Sequence, residues 1–214
     1  MPQNDAIDWG RIKAVVFDVD GTLYRQGPVR LRMGMALIGH ALRGGYADAR
    51  ALLQFRKKRE ASTNHVNSLE GFDRPAKDME ALVRDWMVAR PLPYLKGARF
   101  ADVDAFMAAL RAHGIKTAVL SDYPVREKLA AMGLEADSCH SAFDPEILTL
   151  KPDPKGLMFA VAALGAQPHE TVYIGDRPEK DGLCASRCYV RFLHCNTPRF
   201  YSNLLRDLKG RQAA

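Results

Sequence analysis

One short stretch of the chain limits its possible folds more than any other. Residues 14–17 read Ala-Val-Val-Phe, and Asp18 and Asp20 follow, two positions apart, before Gly21 and Thr22. An uninterrupted apolar run predicts a strand buried on both faces, as in a parallel sheet. Open α/β sheets bind ligands at the carboxyl ends of their strands, so both acids are predicted to lie at a binding edge.

The two acids need a neutralising partner. No lysine or arginine stands beside Asp18 and Asp20 in the sequence, so the pair requires a cation or a shared proton. Mg²⁺ meets this need, because it binds a few carboxylates together with substrate phosphate. Gly21 permits a sharp turn whose amides face an anion. The residues alone leave a second interpretation open, in which Asp20-Gly21 is an ordinary acidic turn after a strand.

The size and composition of the chain are typical of a globular protein. Its 214 residues suit one large domain or a domain with an insert, with 47% hydrophobic and 26% charged residues. No stretch approaches the roughly 20 apolar residues of a membrane span. Residues 1–10 are polar and acidic, unlike a signal peptide, so we expect a cytoplasmic protein without a membrane partner. The cysteines lack zinc-site spacing and are predicted to be unpaired thiols: Cys139, Cys184, Cys188 and Cys195.

Positive charge is concentrated in one part of the chain. The formal net charge is +6, and residues 25–95 account for all of it, with 13 Lys/Arg against 7 Asp/Glu. Such a segment attracts nucleic acid, a membrane or a small anionic substrate. The densest run, residues 56–59, is typical of a solvated helix face, and no nucleic-acid motif accompanies it. We therefore expect a small anionic partner rather than nucleic acid.

The same basic segment has a helical pattern. Helices are predicted over residues 29–42, over residues 46–60 and from Pro75 onward. In the first of these, the helical spacing is carried by Leu31, Met35, Ile38 and Leu42. Residues 62–74 are polar and are predicted to be a loop, and Pro91 and Pro93 are predicted to form a hinge or linker.

The rest of the chain alternates between strands and helices. Strands are predicted over residues 115–120, 171–174 and 189–193, with a short strand and a loop within 138–150. Helices are predicted over residues 101–113, 124–132, 155–164, 182–188 and 198–211. This alternation predicts an α/β fold with a doubly wound parallel sheet. Right-handed crossovers then bring the polar residues at the strand ends to one edge.

Four short motifs, taken in order, carry a family resemblance. Asp18-Val19-Asp20-Gly21-Thr22 comes first, Ser121 after an apolar strand second, Lys151-Pro152 third, and Gly175-Asp176 with Asp181 fourth. Together they resemble the haloacid dehalogenase-like (HAD) hydrolases over nearly the whole chain. The resemblance implies a Rossmann-like core of residues 1–24 and 96–214, with an inserted helical cap of residues 25–95. The alternative for residues 25–95 is a helical layer that completes the core.

The resemblance also implies a reaction and a metal. Asp18 is expected to be the nucleophile that forms an aspartyl-phosphate, and Asp20 the general acid and base. Mg²⁺ is expected to be held by Asp18, by the backbone carbonyl of Asp20 and by Asp176, with Asp181 acting through water or a hydrogen bond. This set predicts a hydrolase of phosphoric monoesters.

The phosphoryl group is assigned to a second set of residues. Ser121, Lys151 and the backbone amides near Asp122 are expected to hold its oxygens. The acid at Asp20 separates this chain from the dehalogenases, whose ester hydrolysis needs no leaving-group protonation. The implied partner is a small phosphorylated metabolite. Two alternatives stay open: a HAD-type phosphomutase, and a catalytically silent HAD fold that binds polyanions.

Overall fold

A five-stranded parallel sheet forms the centre of the molecule. The computed structural model describes residues 7–210; residues 1–6, where no signal peptide is predicted, and Arg211, the predicted end of the last helix, lie outside this range. The strands are β1 (Ala14–Phe17), β2 (Lys116–Ser121), β3 (Ser138–Ser141), β4 (Thr171–Gly175) and β5 (Arg191–His194). Their order across the sheet is β3-β2-β1-β4-β5, with β1 in the middle.

Helices fill the connections between the strands. Six of them lie between β1 and β2: α1 (Gln26–His40), α2 (Tyr46–Ala61), α3 (His65–Leu69), α4 (Ala76–Arg84), α5 (Leu92–Ala98) and α6 (Val103–Ala112). The others are α7 (Arg126–Met132), α8 (Lys155–Ala163), α9 (Leu183–Arg187) and α10 (Phe200–Gly210). The chain bends between α1 and α2, where the backbone of Arg43 and Gly44 is not helical. Single π-helical turns, Asp85–Ala89 and Pro178–Gly182, extend α4 and precede α9. No helix within residues 7–210 is long and apolar enough to cross a membrane.

Helices cover both faces of the sheet because alternate side chains of a strand point to opposite faces. Val15 and Phe17 of β1 belong to an apolar layer that includes Phe106 of α6 and Tyr201 of α10. Val16 belongs to a second layer, which contains the buried residues of α8. The cysteines are free thiols, and three of the four are buried. The predicted α/β fold with a doubly wound parallel sheet is confirmed.

The helices between β1 and β2 have an apolar cluster of their own. It is formed mainly by α2 and α4 and by the segment that follows α4, and it contains Leu52, Phe55, Met79, Val83 and Trp86. Burial of each of these large side chains contributes about 2 kcal/mol to the packing of these helices.

Two predictions in this region are wrong. The predicted loop of residues 62–74 contains α3, whose first turn is capped because the side chain of Asn64 accepts a hydrogen bond from the amide of Asn67. Pro91 and Pro93 are not a hinge but open α5, since proline is well suited to the first turn of a helix.

The first helix buries a different face from the one that its spacing suggests. Leu31, Met35, Ile38 and Leu42 are exposed, with Leu42 83% accessible. Val29 is buried instead, and Met33 and Leu37, one and two turns further on, pack against the apolar clusters. Both sets of residues are apolar and keep a helical spacing, so the pattern alone did not select the buried one.

Candidate active site

Three neighbouring strands end with polar residues at the same edge of the sheet. Asp18 directly follows β1, Ser121 ends β2 and Asp176 directly follows β4. Phe17 pairs with Val119 of β2 and with Ile174 of β4, so the three strand ends are level with one another. This parallel register brings together the first, second and fourth motifs.

Asp18 is a buried carboxylate with a lysine partner. It is 4% exposed, the ammonium Nζ of Lys151 lies 2.5 Å from its Oδ1, and the hydroxyl of Thr22 donates to its Oδ2 over 3.0 Å. Burial raises the pKa of Asp18 to about 7, with Lys151 opposing the rise and Asp181 and Asp176 adding to it. Burial thus favours the neutral form of Asp18, whereas the ammonium of Lys151 favours its charged form.

Lys151 connects the third motif to the fourth. Its ammonium also donates to Oδ1 of Asp181 over 2.7 Å and to the hydroxyl of Tyr173 over 3.1 Å. Burial alone would lower the pKa of Lys151, but Asp18 and Asp181 hold it well above its usual range. Lys151 is thus a fixed positive charge among buried carboxylates.

Three carboxylates could hold a metal ion. Asp18, Asp176 and Asp181 each offer an oxygen, and these oxygens all lie within 4.8 Å of one another. Oδ1 of Asp176 is buried without a hydrogen-bond partner, and burial and Asp181 raise the pKa of Asp176. An all-oxygen donor set with an unsatisfied carboxylate oxygen fits a hard cation such as Mg²⁺.

Gly21 makes room for this acidic cluster. Its φ of 103° is in the left-handed region, and a Cβ at this position would lie 2.0 Å from Oδ2 of Asp176. A side chain here would therefore displace Asp176 and strain the backbone. The glycine of the first motif is required by the approach of the fourth motif.

Asp20 has its own cation and stands apart from this cluster. The ammonium of Lys128 lies 2.6 and 2.8 Å from its two carboxylate oxygens, and the hydroxyl of Tyr24 donates to Oδ1. Burial raises the pKa of Asp20, but Lys128 and Tyr24 outweigh this effect and hold it below its usual value. The cation that each acid lacks in the sequence is supplied by the fold, since Lys151 pairs with Asp18 and Lys128 with Asp20.

The second motif presents a hydroxyl and an acid. Oγ of Ser121 accepts a hydrogen bond from the amide of Tyr123 over 3.2 Å, which leaves the hydroxyl proton free to donate elsewhere. Oδ1 of Asp122 accepts from the backbone amide of Lys151 over 3.2 Å, and its Oδ2 lies 3.6 Å from Arg177. Asp122 therefore ties the second motif to the third.

A cavity of 180 Å³ lies between this sheet edge and the helices that follow β1. Asp18, Asp20 and Ser121 line it on one side, and side chains of α1 and α2 line it on the other. A molecule in this cavity contacts the candidate catalytic groups and the helical insert together.

Arg59 of α2 joins the two sides. It is 4% exposed, and its guanidinium donates to Oγ of Ser68, to Nδ1 of His65 and to the backbone carbonyl of Asp122. The guanidinium also lies over the ring of Tyr123, 4.7 Å from the centroid. An arginine of the insert thus holds the loop that follows β2.

Sequence reasoning missed several polar residues of this region, including Tyr24, Arg59, Lys128 and Tyr173. Lys128 left a trace: Val125, Lys128, Leu129 and Met132 are all buried at i, i+3, i+4 and i+7, so a lysine occupies one position of an apolar stripe. An interrupted stripe of this kind indicates a buried partner for the charge.

Comparison with known proteins identifies the class. A sequence model of the haloacid dehalogenase-like hydrolases matches residues 12–187. The chain therefore belongs to this hydrolase family, as its four motifs predict.

Two relatives of the chain are named as phosphatases. The chain is 32% identical over 190 residues to the glyceraldehyde 3-phosphate phosphatase of Methanopyrus kandleri, covering 82% of this chain and 80% of that protein. It is 33% identical over 95 residues to the phosphoserine phosphatase of Thermus thermophilus, covering 43% of this chain and 38% of the relative. Together with the family match, these relatives confirm the predicted enzyme class, a hydrolase of phosphoric monoesters.

Solved structures share the fold. A HAD phosphatase from Thermococcus onnurineus superposes with a TM-score of 0.64 at 22% identity, covering 86% of each chain. A 2-haloacid dehalogenase from Pseudomonas syringae superposes with a TM-score of 0.61 at 18% identity, covering 94% of this chain and 99% of the other. At these identities the likeness concerns the fold.

Proposed function

We propose that this chain is a Mg²⁺-dependent phosphatase that hydrolyses a small phosphomonoester through an aspartyl-phosphate on Asp18. One observation carries the proposal: Asp18 and Asp20 face the same cavity, but each has its own lysine, so the two acids have different environments. Different environments allow one carboxylate to act as nucleophile and the other to move protons.

In the first half of the reaction, Asp18 attacks phosphorus. A carboxylate oxygen of Asp18 bonds to phosphorus while the bond from phosphorus to the leaving oxygen breaks, and Asp20 supplies the proton that this oxygen takes. Asp20 rests as a carboxylate because Lys128 and Tyr24 lower its pKa. An incoming phosphate dianion raises that pKa by repulsion, which favours the protonated form in the substrate complex.

In the second half, water removes the phosphoryl group. Asp20 takes a proton from water, the water oxygen bonds to phosphorus, and the bond from phosphorus to Asp18 breaks to release inorganic phosphate. Lys151 and the hydroxyl of Ser121 hold the phosphoryl oxygens throughout, together with backbone amides near Asp122.

The carboxylate cluster would hold the metal. Asp18, Asp176 and the backbone carbonyl of Asp20 would bind Mg²⁺, with Asp181 acting through water or a hydrogen bond. When bound, Mg²⁺ neutralises the repulsion between the phosphate and Asp18. The unsatisfied Oδ1 of Asp176 supports this assignment.

The helical insert would act as a cap. We assign residues 25–95 to the cap domain and residues 1–24 and 96–214 to the core. The separate apolar cluster of the insert and the cavity beneath α1 and α2 support this division. Such a cap excludes water and selects the substrate. Location in the cytoplasm stays a prediction.

Hydrolysis of p-nitrophenyl phosphate tests the proposal. We expect Mg²⁺-dependent release at neutral pH that EDTA abolishes and that Asp18→Asn abolishes, while Asp73→Asn, an exposed acid of the insert, retains it. Mass spectrometry of acid-quenched enzyme should show phosphate on the peptide that contains Asp18.

Mg²⁺-dependent turnover by Asp18→Asn would overturn the nucleophile assignment. Transfer of phosphate to a second hydroxyl of a sugar phosphate, without release, would identify a mutase. If neither activity is found and Mg²⁺ does not raise the melting temperature, the silent polyanion-binding alternative is favoured.

A panel of phosphomonoesters then addresses the substrate. Glyceraldehyde 3-phosphate and phosphoserine enter it because two relatives are named for them. The substrate of this chain should give a kcat/KM well above that of p-nitrophenyl phosphate.

A further inference from the structure

The acidic residues that line the cavity do not balance the positive charge of its basic residues. The acidic residues that line it are each paired with a cation: Asp18 with Lys151, Asp20 with Lys128, Asp122 with Arg177, and Glu60 with Lys180 and Arg177. Three lining cations of the insert form no ion pair with any described residue: Arg30, Arg56 and Arg59. All three lie on α1 or α2, across the cavity from the sheet edge.

Arg59 is the buried member of this group. Its guanidinium bonds only to neutral groups, and its Nε is buried without a hydrogen-bond partner. A buried cation that lacks a counterion is costly, so an anion bound in the adjoining cavity would reduce that cost.

Arg30 and Arg56 are exposed and free to bind. Arg30 lines the cavity together with Tyr24 and Asp20, and the Tyr24 phenol bonds to Asp20. Arg30 therefore stands near Asp20, where the leaving group of a substrate would lie. Arg56 is one turn before Arg59 on α2, and both arginines line the same cavity.

We propose that the leaving group of the substrate carries a second anionic group, a carboxylate or a phosphate, which Arg30 and Arg56 bind. This inference rests on the proposed phosphatase function. Guanidinium groups suit it because they bind either anion through two parallel hydrogen bonds. The cavity volume of 180 Å³ is below the roughly 300 Å³ of common ligand pockets, which favours a small leaving group.

The proposal separates the two substrates suggested by the relatives. Phosphoserine carries a carboxylate besides its phosphate, whereas glyceraldehyde 3-phosphate carries no second anion. The alternative for the arginines is binding of the transferred phosphoryl group itself, which every substrate shares.

Matched substrates distinguish these possibilities. Kinetics of the full chain with Mg²⁺ would compare 3-phosphoglycerate with glycerol 3-phosphate. The first has a carboxylate where the second has an alcohol. Glycerol 1,3-bisphosphate would test a second phosphate in place of the carboxylate. We expect kcat/KM to be about 10- to 100-fold higher for one or both of the doubly anionic probes. Arg30→Gln and Arg56→Gln should each remove most of this preference, mainly through KM, and leave glycerol 3-phosphate hydrolysis nearly unchanged. Arg50→Gln, an exposed arginine of α2 that does not line the cavity, is the matched control.

Each contrary outcome has a distinct meaning. Equal kcat/KM for charged and uncharged leaving groups overturns the proposal. Equal losses on all probes in Arg30→Gln and Arg56→Gln overturn it too, because the arginines then serve the transferred phosphoryl group. If no probe is hydrolysed, not even p-nitrophenyl phosphate, the proposed phosphatase function is refuted, and this inference fails with it.

Discussion

Replacing Lys151 with methionine should reveal how strongly its charge supports the buried acids. Methionine keeps most of the aliphatic length but removes the ammonium that contacts Asp18 at 2.5 Å and Asp181 at 2.7 Å. Lys151 is 4% exposed and Asp181 is fully buried, so the remaining carboxylates cannot be solvated. Loss of one partner from a buried ion pair costs about 3–5 kcal/mol. For a chain of 214 residues this corresponds to a fall in melting temperature of roughly 10 °C.

Chemical denaturation measures this loss directly. The free energy of unfolding of Lys151→Met would be compared with that of wild type at pH 8 in EDTA, with Lys57→Met, an exposed lysine of α2, as the control. Without the ammonium, the pKa of Asp18, which is already raised in the folded protein, rises further, and the pKa of Asp181 rises as well. A carboxylate whose pKa is higher in the folded than in the unfolded protein makes folding less favourable as pH rises. The loss of unfolding free energy in Lys151→Met should therefore be larger at pH 8 than at pH 5.

Addition of Mg²⁺ completes the test. A divalent cation among Asp18, Asp176 and Asp181 replaces part of the missing charge, so Mg²⁺ should stabilise Lys151→Met more than it stabilises wild type. A deficit below about 1 kcal/mol at pH 8 in EDTA would refute the reasoning, because it would mean that the carboxylates need no buried cation.

Three further perturbations test other contacts. Lys128→Met should lower kcat more than it raises KM. It should also move the acid limb of the pH–rate profile to higher pH, because the pKa of Asp20 rises without Lys128. Lys128→Arg, which keeps the positive charge, should restore part of the activity. Gly21→Ala should weaken Mg²⁺ binding and cost about 1–2 kcal/mol of stability, since its Cβ would meet Asp176 at 2.0 Å, whereas Gly27→Ala has open space around it. Burial and Arg59 lower the pKa of His65 to about 4, so the unfolded chain binds more protons at this residue between pH 4 and 6.5. Over that window the free energy of unfolding of wild type should rise by about 2 kcal/mol relative to that of His65→Asn.

Each of these has a result that would contradict it. For Lys128→Met it is an unchanged pH–rate profile, and for Gly21→Ala it is an unchanged Mg²⁺ titration. For His65 it is the same dependence of unfolding free energy on pH in the variant as in wild type.

The residues at the strand ends could be predicted because the information is local. An apolar run followed at once by Asp18, Ser121 or Asp176 defines a strand and its terminus, and a parallel sheet gathers those termini. The order of the motifs then indicated the family. None of this required knowledge of a distant contact.

The cations that complete the site could not be predicted in the same way. Lys128 meets Asp20 across 108 positions of sequence, and their contact depends on how α7 packs against α5. Arg59 meets the carbonyl of Asp122 across 63 positions, through the packing of the insert. Pairings of this kind depend on tertiary structure, and the only local trace was a lysine within an apolar stripe.

The buried face of α1 was ambiguous for another reason. Its apolar residues form two stripes, and the energy of burying either is similar. The choice was made by the neighbours of the helix, which leave Leu31, Met35, Ile38 and Leu42 in solvent.

One contact between distant parts of the chain has a consequence for protein synthesis. The hydroxyl of Tyr201 in α10 donates to the backbone carbonyl of Thr22 over 2.9 Å, and both residues are buried. This turn of the first motif is thus braced by a residue that the ribosome adds 179 positions later. A nascent chain that lacks α10 contains Asp18 but not this support for the loop after it, so we expect hydrolase activity to arise only after the last helix has docked.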